Sequence, residues 1–125
     1  GTLCLGDHIL KGAAGRENER PIVLQMVAAV DARSGYAFEP RLREPGEALL
    51  AAAAGTLANA IEQRGAIPER VLVPEAHYAE GLQPLARAAG FELKVRKDLP
   101  ALKELFIALD KFAERDRRRG PELVH

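Results

Sequence analysis

The chain reads as an α/β domain, a five-stranded mixed sheet in the order 3-2-1-4-5 flanked by helices. Three observations predict it. Residues 2–10 (TLCLGDHIL), 21–30 (PIVLQMVAAV) and 70–74 (RVLVP) are almost continuously apolar, as strands covered on both faces must be. Residues 36–42 (YAFEPRL) and 91–96 (FELKVR) instead alternate, which leaves one face wet and marks the two edges of the sheet. From residue 45 onward, strands alternate with helical stretches, the pattern of right-handed crossovers between parallel strands.

The elements follow in order. The first strand is apolar on both faces apart from Asp7 and His8, and residues 11–20 (KGAAGRENER) form a glycine-rich, charged loop. The second strand runs from Pro21 into Val30-Asp31, and Arg33-Ser34-Gly35 is short enough to turn the chain straight back as an antiparallel hairpin. In the third strand Tyr36, Phe38, Pro40 and Leu42 share the inner face, and a proline inside a strand is confined mainly to an edge. Pro45 opens a helix ending at Arg64 with Gly65 as its left-handed stop; Leu50, Ala54, Leu57 and Ile61 form its stripe, and the alanines at 51–54 allow close approach to the sheet. A helix over 75–89 is expected to break near Gly81 and Pro84 before the stop at Gly90. In the last strand Phe91, Leu93 and Val95 point inward. The final helix begins at Pro100, carries Leu102, Leu105, Phe106, Leu109, Phe112 and Ala113 on one face, frays through 115–119 and stops at Gly120-Pro121.

With 125 residues the chain fits one domain, 1–125, with a core of its own. Eighteen basic residues balance eighteen acidic ones, which disfavours a protein built mainly to hold a phosphate backbone. Cys4 is the only cysteine, so no internal disulfide can form and a reducing, cytoplasmic setting is expected. No apolar run reaches the length of a membrane span. A start at Gly1, directly in strand-like sequence, reads as a domain excised from a larger protein.

The segment RPIVLQMVAAVDARSGYAFEP (20–40) has a buried strand ending in Val-Asp, a serine-containing turn and an aromatic strand. It resembles the corresponding segment of integrases, and the strand order is that of the ribonuclease H-like fold shared by RNase H, integrases and DDE transposases. More closely, the chain resembles an uncharacterised bacterial domain family, through this hairpin, Glu69-Arg70-Val71-Leu72-Val73 and Gly90-Phe91-Glu92-Leu93, over about residues 2–110. A flavodoxin-type fold would need parallel strands from the outset, against the tight turn at Arg33-Ser34-Gly35.

Nucleases of that fold hold two hard cations roughly 4 Å apart between carboxylates. The resemblance implies the first acid at Asp7. The second should follow the fourth strand, where Pro74 stands in place of an aspartate and Glu75 lies one step later. For a third acid the last helix offers Glu104 and Asp110, the first of these on the outer face, and the first helix offers Glu47 and Glu62. This set is degenerate. The expected role is therefore a non-catalytic binding or assembly module within a larger bacterial protein, partnered by another protein or neighbouring domains. The alternative is a divergent Mg²⁺-dependent nuclease using Asp7 and Glu75, the one reading that calls for a cofactor. A second alternative is small-molecule binding in a cleft at the carboxyl ends of strands one and four, lined by Asp7, His8, Glu75 and His77.

Other signals are weaker. Cys4, His8 and His77 are three zinc-type donors without close paired spacing. Gly12, Gly15 and Arg16 match no phosphate-loop pattern. The basic run at 115–119 suits a helix C-terminus without implying nucleic acid. Asp31 is placed to bond the amides of its turn, a structural role.

Overall fold

β1 (Thr2–Ile9) is the spine of the main sheet. The structure, a computed structural model, describes residues 1–9, 15–17, 20–22, 25–44 and 46–123. After β1 come a small hairpin of β2 (Gly15–Glu17) and β3 (Arg20–Ile22), then β4 (Gln25–Asp31) and β5 (Arg41–Leu42). α1 (Leu49–Arg64), β6 (Arg70–Val73), α2 (Ala76–Ala89), β7 (Glu92–Val95) and α3 (Pro100–Leu123) complete the chain. The main sheet has the order β5-β4-β1-β6-β7, which is the expected 3-2-1-4-5 once the extra hairpin is set aside. β4 is antiparallel to β1 and β5, whereas β6 is parallel to β1 and β7.

Side chains alternate along β1 and build two cores. Leu3 and Leu5 face α1 and α2, with Val27, Ala29, Val71, Val73 and Tyr78. Cys4 faces α3, with Ala28, Val30, Leu72, Leu102 and Phe106. The central strands are apolar on both faces because helices cover both. Ala52 and Ala53 are fully buried, so the alanine run does seat α1 directly on the sheet. Gly65 closes α1 at φ 75°, its amide returning to the carbonyls of Ile61 and Glu62, as a left-handed cap does.

Several local expectations are corrected. Residues 15–17 are not loop but strand, and Pro21 belongs to β3, so the long strand begins at Gln25. Such a two-stranded hairpin is made by backbone bonds and leaves no hydrophobic signature for a sequence to show. The third strand is broken. Val30 bridges Ala37 and Val27 pairs with Arg41, so three steps on β4 face four on its partner, a β-bulge of one residue. The bulge reverses the side-chain alternation, which is why Phe38 is buried while Leu42, expected inside, is exposed, as is Tyr36 on the open edge. α1 starts at Leu49 rather than at residue 45, because the chain first turns at Gly46, with the Glu47 amide bonded to the Glu44 carbonyl.

α2 is continuous through Gly81 and Pro84. Pro84 deprives only the Glu80 carbonyl of its helical partner, and both residues are exposed, so water can take the bond. Gly81 is where Leu50 of α1 packs: a Cβ there would lie 2.5 Å from Leu50 Cδ1. At the other edge, Val95 of β7 stays exposed, since an edge strand has a neighbour on one side only. α3 runs past the expected stop at Gly120-Pro121 to Leu123. Among the described residues, no helix is long and apolar enough to cross a membrane.

Candidate functional site

Strand periodicity separates the two polar residues at the end of β1. Asp7 continues the face of Leu3 and Leu5, towards α2, and His8 continues the face of Cys4, towards α3. Their partners confirm the split. Asp7 Oδ1 accepts a hydrogen bond from the Tyr78 hydroxyl, and Oδ2 accepts one from Gln25 Nε2 at 2.7 Å. Tyr78 is fully buried near the start of α2. Burial first, then the carboxylate it bonds, pushes its phenol far above the ordinary range, so it remains a donor. Gln25 extends the network to Arg43 Nη1 at 2.7 Å, and Arg43 Nε reaches the Glu47 carbonyl at 2.6 Å. Glu47 in turn pairs with Arg41 at 2.6 Å, which ties β5 to the approach of α1.

On the other face, His8 Nε2 meets Asp110 Oδ2 at 2.8 Å, and its ring stacks on Phe106 with centroids 4.9 Å apart. These contacts border a cleft of about 450 Å³ between the end of β1 and α3, within the range of small-molecule sites. Leu99, Leu102, Phe106 and Ile107 make its apolar wall; Lys97, Asp98 and Lys103 supply charge. Gly6 allows this packing, for a Cβ there would lie 2.6 Å from Leu102 Cδ2.

The four residues expected to share a cleft divide into two pairs. Asp7 and His8 border it, together with Pro74. Glu75 and His77 are not among its lining residues; both are exposed, and they pair with each other at 2.9 Å. Glu75 is the residue before α2 and makes no side-chain cap bond. Glu104 is exposed, as the α3 stripe requires, and so is Glu62. Cys4 and His8 share a face, yet Cys4 is buried deep in the core, where burial, with Asp31 adding to it and Arg96 opposing, holds its thiol above the ordinary range. Among the described residues, no three His, Cys, Asp or Glu side chains gather as a group that could hold a metal ion. Gly12 lies outside the described residues, as do the side chains of Gly15-Arg16 and of 115–119.

Asp31 is where its turn needs it. Its Oδ1 accepts from the amides of Arg33 at 2.9 Å and Ser34 at 3.0 Å, and these bonds, Ser34's foremost, hold its carboxyl below the usual range.

Sequence reasoning overlooked Tyr78, Gln25, Lys97 and Lys103. Tyr78 had a legible signal, since it lies four residues before Leu82 and eight before Ala86 on the buried stripe of α2. For Lys103, the spacing of Leu102, Phe106 and Asp110 along one flank of α3, just after Leu99, was the available clue. Nothing local marks Gln25, whose partner is eighteen residues away across the sheet.

Residues 8–110 match the model of a domain of unknown function, DUF6930. No curated protein matches the chain.

Proposed function

Since the chain belongs to the DUF6930 family of domains of unknown function, we propose its role from the site itself: a non-catalytic binding module of ribonuclease H-like architecture. It would serve a larger bacterial protein in the cytoplasm, with the cleft beside α3 as its ligand site. The observation that carries this reading is the separation of the carboxylates. Asp7 is engaged by Tyr78 and Gln25 on one face of the sheet, whereas Glu75 is turned out to solvent against His77.

A two-cation site needs acids that share the ions across roughly 4 Å. These residues do not fit one: Pro74 supplies no donor where the second acid would stand, and Asp110 is on the His8 side of the sheet. His8 and Asp110 make a base-and-orienter pair, but among the described residues the cleft lining contains no serine, threonine, cysteine or tyrosine to serve as nucleophile. The sheet order and the antiparallel start support the ribonuclease H-like assignment.

The test is incubation of the protein with labelled single- and double-stranded DNA and RNA, in Mg²⁺ and in Mn²⁺, beside Asp7→Asn. No cleavage is expected. Metal-dependent cleavage that vanishes in the variant would overturn the reading.

A further inference from the structure

β7 closes one side of the main sheet, with β6 as its neighbour and, among the described residues, no further strand beyond it. The opposite edge is guarded, since β5 is two residues long and is reached through the bulge. β7 pairs with β6 in unbroken register over its whole length. The amides of Glu92 and Arg96 bond inward, to the carbonyls of Glu69 at 3.0 Å and Val73 at 2.8 Å. Alternation along the strand then turns the amides and carbonyls of Leu93 and Val95 outward, together with the Phe91 carbonyl. The Phe91 amide is taken by the Ala86 carbonyl at the end of α2. Val95, 46% exposed, extends the apolar row of Phe91 and Leu93 along this open edge.

We propose that this edge pairs with a second copy of itself, the two β7 strands running antiparallel about a two-fold axis at Leu93. The pattern of charge points to a copy of this chain as the occupant, because Glu92-Leu93-Lys94 is complementary to its own reverse. In this register each Glu92 stands opposite the partner's Lys94, at the closely spaced positions of an antiparallel pair. Leu93 faces its own copy and exchanges backbone bonds with it, and the Val95 amide reaches the carbonyl of the partner's Phe91. Both outward amides of the strand are thereby satisfied. Val95 also comes to lie beside the ring of the partner's Phe91, a favourable cross-strand pair. Moving the axis to Lys94 would keep the backbone bonds but set that lysine against itself. Within one chain, Glu92 already holds Lys94 at 3.3 Å and Arg70 at 3.4 Å, all three side chains being about half exposed. Pairing exchanges the first of these contacts for one of the same kind and leaves the second. Charge therefore selects the register, while the backbone bonds and the covering of Val95 hold the pair. The inference concerns the sheet edge and stands whether or not the cleft beside α3 is a ligand site.

Sedimentation equilibrium of the whole chain tests it, with loading up to about 1 mM because a contact of this small size is weak. A monomer–dimer equilibrium is expected. Lys94→Glu and Glu92→Lys each set like charges opposite one another, and each should weaken the dimer at least about tenfold. An equimolar mixture of these two variants should recover the original affinity as a heterodimer, and the double exchange Glu92→Lys/Lys94→Glu should recover it as a homodimer. Val95→Pro removes an outward amide without touching a bond to β6, and should leave the chain monomeric. Thermal melts check folding; should Val95→Pro not fold, the charge variants decide alone. A monomer at every loading, or a dimer indifferent to the single charge variants, would overturn the inference. So would failure of the double exchange to restore association, since the axis would then lie elsewhere than at Leu93.

Discussion

Replacing Tyr78 with phenylalanine removes one hydroxyl from a fully buried side chain and leaves its packing in place. What is lost is a hydrogen bond to the Asp7 carboxylate. Bonds to charged groups contribute about 1.5–3 kcal/mol. Gln25 continues to serve the other oxygen, and Asp7 is only partly buried, so the lower half of that range, about 1.5–2 kcal/mol, is the expected loss. Asp7→Ala should cost about 1–3 kcal/mol, because it strands the buried hydroxyl of Tyr78. The double variant strands neither group on this account, so its loss should fall short of the sum by about 1.5 kcal/mol. Urea unfolding followed by far-UV circular dichroism measures all four corners of the cycle, and an unchanged slope confirms that stability alone moved. The pH dependence gives an independent check. Tyr78 has its folded pKa raised above the ordinary 10.0, so its contribution is complete below pH 10 and declines as the unfolded chain ionises above it. Tyr78→Phe should therefore flatten the alkaline limb of the stability profile. Losses that add within about 0.3–0.5 kcal/mol would refute the coupling and, with it, the account of Asp7 as an acid held by Tyr78.

Asp31→Ala should lower stability by about 0.5–2 kcal/mol, the usual value of a side chain that caps backbone amides, and a denaturant melt measures it. Because those amides depress the folded pKa of Asp31, its contribution is present above the ordinary 3.8 and disappears as pH falls through the lower folded value; the variant should lose that part of the acid limb. Gly6→Ala should cost about 1–3 kcal/mol by overpacking α3 against β1, and Leu102→Ala in the same chain should recover part of the loss, so an additive double variant would contradict the close approach.

By itself, the sequence determined the sheet order, because three continuous apolar runs and two alternating ones admit few arrangements once a tight turn and two helical crossovers are imposed. It determined the role of Asp31 as well, since a side chain bonding amides two and three residues ahead is a local matter. It missed the bulge near Pro40, where one added residue reverses the side-chain parity of Leu42, and the hairpin at 15–22, whose bonds are main-chain. The site belongs almost wholly to the tertiary structure. Asp7 and His8 are neighbours in sequence and were expected to work together with Glu75 and His77. Strand geometry sends their side chains to opposite faces, so Asp7 meets a tyrosine 71 residues away and His8 an aspartate 102 residues away. A partner so distant is chosen by which helix covers which face of the sheet, and no local run of residues carries that information.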